Sequence, residues 1–215
     1  MPDRKIYIAL DVESAGSSLG IHSTLSVGAC VIDRDELSFE EYRQKGLVFY
    51  AELQPDSRAF ETDAIKVGAS KLVCLEDLVR AGVKQFDVSC SEFSGLKTLT
   101  KMECICESPA AAMLRFEVWV EKVRAGREAI GVTDTVFFDG GRIDYLFGKY
   151  CHGPNPFGWS GLDLDSIYRG YAQRSDANLK ELGVPDQREY PHRADEDAIY
   201  LAQVGRELLF EKMKW

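Results

Sequence analysis

The apolar residues of this chain fall into short runs separated by polar segments. The first run, IYIAL at 6–10, is unbroken and predicts a strand buried on both faces of a sheet. Runs at 24–33 and 46–54 predict two further strands, and the short connections between the three favour an antiparallel meander. The N-terminal part of the chain therefore predicts a β-sheet.

Helical periodicity characterises the second half of the chain. Ser108 and Pro109 form a helix start, apolar residues recur at helical spacing as far as Arg124, and Gly126 follows as a stop signal. The run TVFF at 135–138 predicts one more strand. Further helices are predicted at 144–150, 162–171, 178–182 and 195–212.

This order of elements indicates an α/β fold in a single domain over 1–215, with a central mixed sheet flanked by helices. Residues 55–107 mix short apolar runs with Gly, Ser and acids, and read as a poorly defined insertion of irregular helices and loops. No apolar run approaches the roughly 18 residues that a membrane span needs, so no membrane partner is expected. The N-terminus predicts a strand and not a signal peptide, because acids flank its apolar run and no small-residue cleavage site follows.

Composition narrows the functional classes. The 45% hydrophobic content is enough for a sizeable core, and the net charge of −9 argues against a broad electrostatic clamp on nucleic acid. An enzyme that grips one chain end through bound cations stays compatible with that charge. The six cysteines match neither a zinc pattern nor a disulfide framework, which predicts reduced thiols and a cytoplasmic location.

Two acids end the first strand. Side chains alternate along a strand, so Asp11 and Glu13 point to the same face. Two neighbouring carboxylates repel each other unless a cation or hydrogen-bond donors compensate, which predicts a divalent metal site. The alternative is that the strand stops at Leu10 and the acids are solvated, since similar acidic triplets occur elsewhere in the chain.

Further acids lie at comparable places. Asp144 follows the run TVFF on the first turn of a predicted helix, and Asp197 lies in the first turn of the last helix, with His192 five residues before it. The helix dipole favours carboxylates at such positions, so each alone has an ordinary structural explanation. Asp139 is assigned to the turn after the strand. The aromatic residues Phe157, Trp159, Tyr168 and Tyr171 are predicted to be core rather than base-stacking residues.

Together these motifs resemble the DEDDh-type 3′-5′ exonucleases of the ribonuclease H-like superfamily, which include oligoribonuclease, ribonuclease T and a proofreading exonuclease. IALDVES matches the first motif, VFFDGGRIDYLFGKY the second and HRADEDA the third. The sister group with Tyr in place of His is excluded, because Arg193 stands at the Tyr position. The three motifs span about residues 5–210, and residues 55–107 match nothing in the family pattern.

The resemblance implies a ribonuclease H-like fold and a two-metal hydrolysis that releases nucleoside 5′-monophosphates from single-stranded or frayed ends. Asp11, Glu13, Asp144 and Asp197 would hold two Mg²⁺ or Mn²⁺ ions, hard cations that prefer carboxylate oxygen. His192 would be the general base.

The same resemblance bears on substrate and partners. Many members have Thr-Thr-Gly after the first motif, whereas this chain has Ser14, Ala15 and Gly16 in a longer loop, so Ser14 and Ala15 are the candidate substrate contacts. The partner would be the 3′ end of a single-stranded RNA or DNA, and the choice of sugar stays open. A homodimer is an option, because several members are dimers. The alternative functions are a non-catalytic ribonuclease H-like binding module and a metal-dependent endonuclease.

Overall fold

The computed structural model describes residues 4–215. Its strands are β1 (Lys5–Ser14), β2 (Thr24–Val31), β3 (Val48–Glu52), β4 (Glu128–Thr133) and β5 (Leu162–Asp163). Its α-helices are α1 (Phe39–Gln44), α2 (Thr62–Gly68), α3 (Val73–Arg80), α4 (Gly95–Ile105), α5 (Pro109–Arg124), α6 (Gly141–Tyr150), α7 (Leu164–Ala172) and α8 (Ala194–Gly205). Val136–Gly140 and Arg206–Lys212 are π-helical, and Leu179–Leu182 is a 3₁₀ turn.

The strands form one mixed sheet in the order β3-β2-β1-β4-β5. Strands β1, β2 and β3 pair antiparallel, whereas β4 pairs parallel with both β1 and β5. The predicted fold class, a mixed sheet with three antiparallel first strands and flanking helices, is confirmed. Strand β1 is central, so its two faces are covered by different helices.

Alternation along β1 divides the core into two layers. Ile8 and Leu10 pack in the cluster formed with α5 and α6, whereas Ala9 packs in the cluster formed with α7 and α8. Asp11 and Glu13 continue the series of Ala9 and therefore face the side of the sheet that α8 covers. The period-two pattern thus directs both acids toward the last helix.

A glycine on β2 lets α8 approach the sheet closely. Gly28 is the register partner of Asp11, and a Cβ built on Gly28 would lie 1.9 Å from the carbonyl oxygen of Ala194, the first residue of α8. No side chain fits in that space. The N-terminus of α8 consequently lies directly over the end of β1.

The segment 55–107 is more regular than predicted. Helices α2, α3 and α4 build a third hydrophobic cluster, in which Leu72, Leu75 and Leu99 are buried together with Ala15, which follows β1, and Leu25 of β2. The apolar runs of this segment are short, and burial in this cluster stabilises them as helices.

The predicted strand at 135–138 is wrong. The strand in this part of the chain is β4 at Glu128–Thr133, and Val136–Gly140 forms a π-helical turn in which Phe138 and Asp139 both donate backbone N–H bonds to Thr135. Phe137 is 96% exposed, so the β propensity of this run does not reflect burial. Within the described residues, no helix has the length and apolarity needed to cross a membrane.

Candidate active site

Two predicted acids end β1 on the face that α8 covers. Glu13 is 8% exposed, and the Oδ2 atom of Asp11 is shielded from solvent without a hydrogen-bond partner among the described residues. A buried carboxylate oxygen that no donor satisfies is costly in an otherwise packed structure. Asp11 therefore points into a position suited to a cation.

The third motif meets the first at this place. A carboxylate oxygen of Glu13, a carboxylate oxygen of Asp197 and a ring nitrogen of His192 all lie within 4.8 Å of one another. The backbone N–H of His192 donates to both oxygens of Asp197, at 3.3 and 3.1 Å. Arg188 also pairs with Asp197, through Nη1 at 2.8 Å. The structure thus joins three of the predicted residues.

A buried ion network fixes the turn that carries His192. Arg193 pairs with Asp195 at 2.7 Å and with Glu196 at 3.1 Å, and Arg43 of α1 reaches the same two carboxylates. Glu196 also accepts the backbone N–H of Tyr190 at 2.8 Å. The sequence motif alone does not reveal this support.

His192 itself has a left-handed backbone, with φ of 67°. That conformation is uncommon for residues other than Gly, although His adopts it more often than most. It turns the chain so that the backbone N–H of His192 faces Asp197 while the residue stays exposed. The ring is thus accessible from solvent.

The fourth predicted acid, Asp144, is not in this cluster. It is exposed on the first turn of α6 and accepts a hydrogen bond from Nδ2 of Asn155 at 3.0 Å. Asp139, which the sequence assigned to a turn, is instead 4% exposed, and its Oδ1 accepts the backbone N–H of Val12 at 3.2 Å. The assignment of Asp139 to an ordinary turn is therefore corrected: this side chain contacts the end of β1.

The clustered carboxylates disturb one another's protonation. Burial raises the pKa of Glu13 to about 8, and repulsion from Asp197 and Asp139 adds to the shift. Burial also raises the pKa of Asp11 well above its usual range, with Asp139 and Glu13 as the strongest repelling charges. The pKa of Asp139 rises to about 7 through burial and the charge of Asp134. Mutual repulsion of this kind, among carboxylates of shifted pKa, is typical of a functional site that binds cations.

The side chains of the predicted substrate contacts, Ser14 and Ala15, are buried and do not face solvent. Ala15 is completely buried in the cluster with α2 and α3, and Ser14 is 6% exposed, with its hydroxyl donating to the carbonyl of Gly16 at 2.8 Å. The backbone N–H of Ala15 donates to the carbonyl of Ser23, and the carbonyl of Ala15 accepts the backbone N–H of Glu61. The loop packs against the insertion, which the sequence could not show.

Two aromatic rings are exposed in the segments between β4 and β5 instead. Phe137 belongs to the turn that carries Asp139, and Trp159, which was predicted to be core, is fully exposed just before β5. The two segments meet where the backbone N–H of Val136 donates to Asp163 at 3.2 Å. Tyr171 is exposed as well, whereas Phe157 and Tyr168 are buried as predicted.

Comparison with known proteins gives a relative of defined activity. The chain is 28% identical over 207 residues to the 3′-5′ DNA exonuclease Cap18 of Escherichia coli, which covers 96% of this chain and 90% of that protein. No family model matches the chain.

Solved structures share the fold. The nuclease domain of 3′hExo, a DEDDh family member bound to rAMP, has a TM-score of 0.64 at 12% identity and covers 97% of this chain and 94% of its own. Cell-death related nuclease 4 has a TM-score of 0.62 at 12% identity, over 98% of this chain and 66% of its own. An E. coli exonuclease I complex with single-stranded DNA has a TM-score of 0.60 at 14% identity, over 98% of this chain and 41% of its own.

These likenesses show the fold. The chain shares the fold of the solved exonucleases and resembles a 3′-5′ exonuclease along nearly its whole length. The predicted resemblance and the predicted enzyme class, an exonuclease, are both confirmed at this level.

The raised pKa values predict how stability depends on pH. Between about pH 5 and 8, folded metal-free protein keeps protons on Glu13 and Asp139 that the unfolded chain has released. The free energy of unfolding should therefore fall as pH rises through this window. Melting in EDTA from pH 5 to 9 should show a shallower decline for Glu13→Gln than for wild type. Glu128→Gln, a change at an exposed residue, is the control, and equal slopes in all three proteins would contradict the prediction.

Proposed function

We propose that this protein is a divalent-metal-dependent 3′-5′ exonuclease that removes nucleoside 5′-monophosphates from single-stranded or frayed ends. The observation that carries the proposal is the meeting of Glu13, Asp197 and His192 within 4.8 Å beside the buried acid Asp11. A non-catalytic binding module has no need for these groups together. Cytoplasmic location and a homodimer stay predictions.

The donor set suits hard divalent cations. Asp11, Glu13 and Asp197 offer carboxylate oxygens, the ligands that Mg²⁺ and Mn²⁺ prefer, and no cysteine joins them. The unpartnered Oδ2 of Asp11 and the repulsion among the acids support the fit. Bound divalent ions would supply an activated water and charge stabilisation for phosphodiester hydrolysis.

Two side chains of this protein, His192 and Arg188, lie beside Asp197 and have roles to assign. His192 lies at the exposed rim, where its imidazole would take the proton of the attacking water. Arg188 pairs with Asp197 at 2.8 Å and with Asp186 at 2.6 Å, so it offsets the charge of Asp197 and would keep its Asp186 pair when cations bind Asp197.

The acidic surface is compatible with binding at a chain end. A net charge of −9 disfavours long phosphate tracks, whereas an enzyme that grips only the terminal nucleotides needs few basic contacts. We propose single-stranded DNA as the first substrate to test, since the 28% identical relative is a DNA exonuclease. RNA is the matched comparison because, in a sequence without thymine or uracil, only the 2′-hydroxyl distinguishes the two strands chemically.

A time course on 5′-labelled DNA and RNA strands of the same sequence tests the proposal. It is run with Mg²⁺, Mn²⁺ or EDTA, and with wild type beside Asp197→Ala. A metal-dependent ladder that shortens from the 3′ end, absent in the variant, is the expected result. Internal cuts would indicate an endonuclease, and binding without any cleavage would indicate the non-catalytic module.

Two aspartates compete for the fourth position, and a matched pair of variants separates them. We propose Asp139 as the fourth acid, since it is buried at the end of β1 and its charge repels Asp11 and Glu13. Asp144, the acid predicted from the motif, is exposed and bonded to Asn155 outside the cluster. Asp139→Asn should lower kcat by more than about 100-fold. Asp144→Asn should lower it by about 10-fold or less. The reverse ranking would make Asp144 the metal ligand.

The exposed rings give a prediction about substrate binding. Phe137→Ala and Trp159→Ala should each raise KM for single-stranded DNA by about 5- to 100-fold with little change in kcat, because one stacked base contributes roughly 1–3 kcal/mol. Tyr171→Ala is the control, since its ring already stacks on Tyr168 with centroids 6.4 Å apart. Unchanged KM in both test variants would remove these rings from the substrate path.

A further inference from the structure

Three metal-binding groups meet away from the acidic cluster. Glu52 ends β3, Cys74 lies in the first turn of α3 and Cys106 directly follows α4. One carboxylate oxygen and the two Sγ atoms all lie within 4.8 Å of one another. The residues come from three separate elements, and the cysteines are 32 positions apart.

Hydrogen bonds hold this group in place. The Cys106 thiol donates to Sγ of Cys74, with the sulfurs 3.4 Å apart. The backbone N–H of Cys74 donates to Oε2 of Glu52 at 2.9 Å, and the Tyr50 hydroxyl donates to Oε1 at 2.6 Å. The carboxylate is therefore fixed beside the two sulfurs before any ligand binds.

The geometry favours a shared cation over a disulfide. Two thiolates on one tetrahedral zinc ion, each about 2.3 Å from the metal, lie about 3.8 Å apart. The sulfurs of a disulfide are bonded at about 2.05 Å. The Sγ atoms of Cys74 and Cys106 are 3.4 Å apart, which is closer to the separation of two thiolates on one zinc ion.

The negative charge of Glu52 also favours a cation over a disulfide. The carboxylate of Glu52 lies beside both sulfurs, and its negative charge opposes the thiolate that oxidation to a disulfide requires. A divalent cation reverses this effect, because it offsets both the thiolate charges and the carboxylate. Glu52 thus hinders a disulfide and assists a metal.

We propose that Glu52, Cys74 and Cys106 bind one zinc-type cation, with a water molecule as fourth ligand. Binding would release the two thiol protons and form two metal–sulfur bonds, with no change of oxidation state. The ion would cross-link the end of β3 to α3 and α4. It would therefore stabilise the insertion, independently of the nuclease site.

Cobalt(II) is the probe that distinguishes the two sites. Reduced protein freed of metal with EDTA and then desalted is titrated with Co²⁺, and thiolate-to-cobalt charge-transfer absorbance is recorded. The acidic cluster has only oxygen and nitrogen donors and gives no such band. We expect a band saturating at one Co²⁺ per chain, its loss on adding Zn²⁺, and a higher Tm with Zn²⁺.

Variants test the residues. Cys74→Ser and Cys106→Ser should each weaken Zn²⁺ binding by at least about 10-fold and lose most of the band, and Glu52→Gln should weaken binding while keeping the band. Cys104→Ser, at an exposed residue, is the control. Absence of the band in reduced wild type, or its persistence in both Cys variants, overturns the proposal. So does conversion to a species 2 Da lighter without cobalt binding, which identifies a disulfide.

Discussion

Asp11→Asn is expected to lower exonuclease turnover by more than about 1,000-fold while leaving the fold intact. The change keeps the size of the side chain but removes the buried charge that points toward the proposed cations. It also removes repulsion from Glu13 and Asp139, so the metal-free variant should melt at a higher temperature than wild type near pH 8. Turnover on 5′-labelled DNA and melting in EDTA, measured on the same preparation, check both parts.

Asp63→Asn is the matched control for this variant. Asp63 is exposed in the first turn of α2 and also belongs to an acidic triplet, so its substitution should change neither turnover nor melting. Purified Asp11→Asn protein with wild-type turnover would refute the site assignment. A folded, inactive variant with unchanged melting would keep the catalytic assignment and refute the repulsion.

His192→Asn is expected to lower kcat by about 100- to 10,000-fold with little loss of Mn²⁺ binding, as removal of a general base does. Asn tolerates the left-handed backbone at this position, so the turn that faces Asp197 should persist. Single-turnover rates at saturating Mn²⁺ and an Mn²⁺ titration measure kcat and metal binding separately.

His152→Asn is the control for the histidine, since His152 is exposed in the loop after α6. It should retain wild-type kcat and wild-type Mn²⁺ binding. A kcat of His192→Asn within twofold of wild type would remove His192 as the base. Loss of Mn²⁺ binding in that variant would indicate a metal ligand instead.

Local patterns predicted much of the fold and the residues of the candidate active site. The apolar run of β1 and its two terminal acids define a buried strand and a shared carboxylate face, because period-two alternation needs no tertiary information. The start of α5 was equally legible, since Ser108 caps the helix and Pro109 occupies its first turn. The meeting of Glu13, His192 and Asp197 agrees with the motif spacing.

Tertiary packing determines the features that the sequence did not predict, which are the position of β4 and the burial of Ser14 and Ala15. Residues 135–138 have strand propensity, yet β4 lies earlier, because Glu128–Thr133 pairs with the central strand and the chain must turn before α6. Ser14 and Ala15 follow the first motif, but the insertion buries them. Burial depends on segments distant in sequence, which no local pattern records.

The sequence by itself therefore determined the first strands of the sheet and the shared face of Asp11 and Glu13, since these depend on short-range periodicity, and its motifs carried the resemblance to DEDDh-type exonucleases. Only the tertiary structure decided that Asp139 lies at the end of β1 while Asp144 faces Asn155, and that Cys74 and Cys106 meet beside Glu52. The physical reason is the same for the two aspartates and for the cysteine pair. Which side chains meet is set by how helices dock on the sheet, and docking is a property of the whole core.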